Sequence, residues 1–227
     1  MRFAISSLLV FLMAFFAVCS FDSSASAYPK ATDHAQRWQL TFDTTGLRFY
    51  RDLRTGHGYW VMVYEVTNET RSDQHWVPSF TLVTDQGEML DAGNDVPRRI
   101  HTDILDTFGD PLLQMQSEVR SALHRGEENA IRGLVVWKAK NEDARSLQVF
   151  VSGVSGDTAK VRNPISGEEV VLHRELQLSW VVPGALTGDL KPLPRREVGG
   201  GVSVRRLSNE EVEAAAEDQV YRRWVFR

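Results

Sequence analysis

The stretch Tyr59–Thr67, YWVMVYEVT, restricts the fold more than any other part of the chain. Aromatic and β-branched side chains lose rotamer freedom in a helix and pack well on a pleated surface, so this run forms a strand. Strand side chains alternate across the backbone. Trp60, Met62, Tyr64 and Val66 therefore share one face, and Tyr59, Val61, Val63 and Glu65 share the other. Both faces are apolar as far as Glu65. Such a strand is central, and something must cover its second face.

The flanking sequence extends the β pattern. RWQLTFD alternates with Trp38, Leu40 and Phe42 on one side; Thr44–Gly46 reads as a turn, and LRFY as a second short strand. Phe80 and Leu82 mark another strand, and Asp85-Gln86-Gly87 a turn into Met89 and Leu90. Further strands are expected at Gly133–Trp137, around Leu147, Val149 and Val151, at Lys160–Asn163, at Glu168–Leu172 and through Leu176, Leu178, Trp180 and Val182. The side chains of Trp60, Met62 and Tyr64 should pack with Phe80, Leu82, Val149 and Trp180. One segment breaks the rhythm: Asp110-Pro111 resembles a capped helix start, Leu112, Met115, Val119 and Leu123 recur near helical spacing, and Gly126 ends the run. This predicts a helical insertion over Pro111–His124. Many short strands with a single helical interval point to an all-β fold, an antiparallel β-sandwich.

The remaining organisation follows from the ends. Arg2, the apolar run Ala4–Cys19 and the small polar stretch closing on Ala25-Ser26-Ala27 have the layout of a secretory signal peptide, residues 1–27. Bulky Val18 before Cys19 is unlike a lipobox. The chain is thus expected to be exported, periplasmic or secreted, with no transmembrane segment in the mature protein. After a leader, residues 28–36, the sandwich is expected over 37–184. TGDLKPLPRREVGGGVS places a flexible linker over 185–207, and Ser208 with Glu211 forms a capping box that opens an amphipathic helical tail, 208–227. That tail carries Tyr221, Trp224 and Phe226 beside Arg222 and Arg223, the candidate interaction residues. It can dock on its own domain, bind a partner or touch a membrane surface.

Composition narrows the chemistry. The chain has one cysteine, Cys19, inside the signal segment, so the mature part has no disulfide, thiolate nucleophile or Cys-ligated metal. A formal charge of -4 argues against nucleic acid as a partner. The six histidines His34, His57, His75, His101, His124 and His173 form no helical metal pair; for a zinc site assembled from separated loops, His57 and His75, which flank the first long strand and its loop, are the least implausible pair. Asp85, Glu88, Asp91, Asn94 and Asp95 crowd one region without the spacing of a calcium loop. There is no nucleophile elbow, and Gly199–Gly201 lacks the GxGxxG order, so no catalytic residue, metal or cofactor is assigned.

The order of the β segments resembles bacterial exported immunoglobulin-like β-sandwich proteins. Val66-Thr67-Asn68 matches the end of one strand, Phe80, Leu82, Asp85 and Gly87 a second element, and Gly126, Gly133, Val135 and Trp137 a third. The likeness covers Tyr59–Gly153 and departs at Ile100–His124 and in the C-terminal extension. It implies an accessory, envelope-associated or ligand-holding module and carries over no catalytic residue. The expected function is a non-enzymatic interaction domain with an envelope or secreted protein partner. The alternatives are a carbohydrate- or ester-acting hydrolase whose site is assembled from loops, and a purely structural envelope protein.

Overall fold

The structure, a computed structural model, describes residues 28–119, 121–195 and 222–227. Among the described residues it is mostly β: two larger sheets, a two-stranded sheet and one α-helix. The elements all belong to the unit Ala31–Arg227.

The first sheet has the order β12-β1-β2-β8-β6, formed by Asp189–Pro192, Thr41–Arg51, Gly58–Thr67, Ile131–Lys138 and Leu113–Met115. As its two apolar faces require, β2 lies in the middle, between β1 and β8. Its Trp60, Met62, Tyr64 and Val66 enter the main core, whereas Tyr59, Val61 and Val63 belong to a second cluster. The cover of that second face is helix α1, Arg98–Phe108, through the buried Ile100 and Ile104. Glycine allows the close approach of a ring here: a Cβ on Gly133 would collide with the side chain of Tyr64, its register partner on β2.

The second sheet runs β10-β11-β9-β4-β5, formed by Thr158–Arg162, Glu169–Val181, Ser146–Ser152, Ser79–Thr84 and Met89–Asp91, and β13, Arg222–Phe226, also pairs with β11. β3, Gln74–Trp76, and β7, Ser121–Leu123, form the small sheet. Residues of both larger sheets meet in one core, where Phe80 packs on the rings of Phe42 and Tyr64 with centroids 6.2 and 4.9 Å apart. Trp60, Met62, Tyr64, Phe80, Leu82, Val149 and Trp180 are all in this core, as their alternation predicts.

Four local expectations are corrected. The helix lies at 98–108, not 111–124. Pro97 precedes it, Ile100 and Ile104 stack one turn apart, and Gly109 ends it with φ 62° while its N–H donates to Leu105 O at 3.0 Å. The carboxylate of Asp110 accepts from Leu112 N at 3.0 Å in a turn, Leu112 points to solvent, and beyond it Met115 lies in the short β6, Val119 in the connection that follows and Leu123 in the short β7. β6 also runs parallel to β8, so the sheet is not wholly antiparallel. The turn expected at Thr44–Gly46 is a bulge inside β1: the register shifts between Thr44 and Leu47, and Gly46 takes φ 100°.

The fourth correction concerns the linker expected over 185–207, which contains β12. Arg48 Nη1 donates to Leu190 O at 2.7 Å, and Leu193 N donates to Leu47 O at 2.6 Å. Leu190 and Leu193 are buried, and Pro192 is tolerated because β12 is an edge strand. The end of the sandwich expected at Gly184 is therefore too early. Residues 196–221, which hold most of the linker and the expected tail helix, lie outside the described residues.

Candidate interaction surface

The strand β11 carries the features that stand out from ordinary packing. Its inner residues Leu176, Leu178 and Trp180 are core. Two positions before Leu176, on the same face, the alternation delivers an arginine: Arg174 is only 1% exposed. Its Nη1 donates to Gln39 Oε1 at 2.8 Å and Ser155 Oγ at 3.2 Å, and its Nη2 donates to Thr32 O at 2.6 Å. The guanidinium lies over the Trp224 ring, 3.8 Å from the centroid. Burial lowers its pKa, while the carboxylates of Asp157 and Asp33 oppose that shift. A guanidinium stays charged under such conditions, so the ring face and the three oxygens replace its lost water.

Trp224 belongs to β13, where the sequence analysis placed its candidates. Arg222 to Phe226 form a strand, not the end of a helix, and lie along β11 in the register Arg222 with Leu178, Trp224 with Leu176 and Phe226 with Arg174. Cross-strand partners share a face, so Trp224 and Phe226 point to the Arg174 side. Both are half-buried. Arg222 binds the carboxylate of Asp43 on β1. Arg223 is exposed opposite Gln177. Tyr221 lies outside the described residues. Of the ways in which the tail could be used, the structure displays docking on its own domain, through strand pairing.

Beyond Arg174 the same strand leaves the core. Glu169–His173 pairs with β10 to make a two-stranded ribbon, closed by a turn in which Asn163 N donates to Glu168 O at 2.8 Å and Gly167 adopts φ 74°. The register puts Ala159, Val161, Val170 and Leu172 on one face of the ribbon. Lys160, Arg162, Glu169, Val171 and His173 lie on the other, with Lys160 Nζ on Glu169 Oε1 at 2.6 Å. The ribbon is conspicuously apolar for an exposed element. Ile165 at its tip is 95% exposed, Val171 47% and Val170 39%.

Two other places were natural candidates for chemistry. A cleft of about 260 Å³ lies beside α1, lined by Val77, Pro78, His101, Gln116, Val119 and Val136 among others. Its lining contains no carboxylate, and burial lowers the pKa of His101. On the other flank, the nearly buried Asp52 is gripped by Arg99 Nη2 at 2.5 Å and Thr55 Oγ1 at 2.6 Å, and Arg99 also holds Asp103 at 2.7 Å. Hydrogen bonds from Arg99 and Thr55 hold the Asp52 carboxyl far below the usual carboxylate range. This pair fastens α1 to the turn after β1, a packing role that the polar sequence RDLRTGHG did not advertise.

Among the described residues no group of three or more His, Asp or Glu side chains could hold a metal ion. The acidic stretch considered for calcium is spent on loop structure instead: Asp85 accepts from Arg145 N at 3.1 Å and Asp91 from Thr81 Oγ1 at 3.3 Å. No helix among the described residues is long and apolar enough to cross a membrane. The class that fold and surface define is thus a mostly β domain with a buried arginine at the root of an exposed apolar ribbon. Comparison with protein-family models, curated proteins and solved structures finds no match to this chain.

Proposed function

We propose that this chain is an exported, immunoglobulin-like β-sandwich module that binds a protein partner of the cell envelope or the secreted fraction and catalyses no reaction. The ribbon of β10 and the first residues of β11 carries this reading. Exposed Ile165, Val170 and Val171 on one short element are costly in water unless a partner covers them, and isolated surface apolar residues elsewhere need no such account. A core shared by the two larger sheets supports the sandwich architecture, and the apolar stretch Ala4–Cys19 ahead of Ala25-Ser26-Ala27 supports export.

The test is a pull-down from an envelope extract with the wild-type chain and an Ile165→Asp/Val171→Asp variant of equal thermal stability. A saturable partner lost in the variant supports the ribbon as the binding element. Equal recovery of every protein by both chains would overturn it, and turnover of a polymer or ester substrate by the purified protein would overturn the non-enzymatic reading. A form ending at residue 195, which keeps β12, separates the ribbon's contribution from that of the C-terminal strand.

A further inference from the structure

Among the described residues every register pair of β13 is with β11, which is its one strand neighbour there. Its side-chain anchors are on strands of the two larger sheets: Trp224 on Arg174, Arg222 on Asp43, and Arg227 on Glu175 at 3.8 Å and on the Phe150 ring at 4.7 Å. None of these contacts depends on which copy of the chain supplies the strand. The acceptor, by contrast, is incomplete without it. Arg174 would keep its three oxygen acceptors but lose the ring face that replaces water on the guanidinium, and β11 would be left with an open edge from Arg174 to Leu178 on the side now paired.

We propose that the β11 edge is an acceptor groove for the C-terminal strand and that two copies exchange these strands reciprocally, β13 of each seated on Arg174 of the other. Residues 196–221 lie between the described stretches 121–195 and 222–227. A stretch of that length reaches at most roughly 85 Å, several times the roughly 15 Å radius of gyration expected for a unit of this size, so a second copy is within reach. Because the contacts are the same in both arrangements, the balance between them is set by concentration against the effective concentration of the attached strand. This proposal is independent of the ribbon as a partner-binding element.

Gln177 and Arg223 are register partners on the outer face of the pair, and the only native cysteine is Cys19, which allows a direct test in a Cys19→Ser background. Full chains carrying Gln177→Cys alone and Arg223→Cys alone are mixed over a concentration series and oxidised. The expected product is a disulfide-linked heterodimer that increases with concentration. Adding Trp224→Ala to the donor chain should reduce its yield about tenfold, the scale of a desolvated cation–π contact. A chain with both cysteines, oxidised when dilute, should close within itself and form no dimer. If the double variant closes but the mixed single variants yield only monomers, exchange is refuted. If the double variant does not close either, the groove itself is refuted.

Discussion

The two halves of β11 obey opposite rules. From Leu176 to Val181 it is a core strand, paired with β9 throughout and with β13 as far as Leu178, and Leu176, Leu178 and Trp180 are no more than 1% exposed. From Glu169 to His173 it is half of a ribbon, and valines of the same strand face water on both sides. The change occurs at Arg174, where the face that carries leucines further on carries a buried cation. A strand that simply frayed at a sheet end would become polar as it emerged. This one keeps its apolar residues, and that difference is what the proposed binding role of the outer half rests on.

The sharpest way to break this contrast is at the core end. Trp180→Ala should lower stability by about 3–5 kcal/mol, because a buried ring is removed and the cavity only partly collapses. A denaturant midpoint unchanged from wild type would show that the inner half is not core. At the junction, Arg174→Ala leaves the acceptors on Gln39, Ser155 and Thr32 without their donor, and should cost about 1–3 kcal/mol. Hydrogen exchange should then accelerate first in β13; uniform acceleration across both sheets would mean that Arg174 supports the whole core rather than this edge.

Asp52 offers a smaller effect on a region remote from β11. Its carboxyl is held below the value of about 3.9 expected in the unfolded chain, so the folded state binds its proton less readily. The associated stability is present above that pH and is lost as the pH falls through and below it. Asp52→Asn should remove that part of the acid sensitivity, read from thermal midpoints between neutral and acid pH. An identical acid profile in the variant would contradict the assignment. The smallest effect is expected at the ribbon, where Ile165→Asp should change stability by less than about 0.5 kcal/mol. A large loss there would mean that the tip is packed, and the contrast between the halves would disappear.

Where the sequence was readable, it was because one physical signal dominated. The two-sided apolar run of β2 announced both a central strand and a cover, and Leu176, Leu178 and Trp180 announced a buried face. The helix escaped because two starts competed. Asp110-Pro111 resembles a start locally, but only the segment after Pro97 places isoleucines where the second face of β2 needs them. β12 was hidden by prolines and a charged setting, since an edge strand needs few apolar residues and tolerates Pro192. Arg174 could not have been singled out: its burial depends on Gln39, Ser155, Thr32 and Trp224 arriving from distant parts of the chain. Trp224 and Phe226 stand out in the sequence as aromatic residues in an arginine-rich end, but their place along β11 was invisible without the register.

The pairing of β1 with β12 has a consequence for the time course of folding. Arg48 must find Pro192, and Tyr50 must find Asp189, across nearly the whole described chain. Closing so long a loop is entropically expensive and slow compared with the neighbouring β1–β2 contact, which needs only the short connection from Arg51 to Gly58. One edge of the first sheet therefore stays open in any state reached before Leu190 and Leu193 arrive. During that interval β1 presents unpaired backbone to whatever else is nearby, and a chain emerging from its N-terminal side depends on rapid delivery of its later residues, or on a chaperone, to keep that edge from pairing with a neighbour.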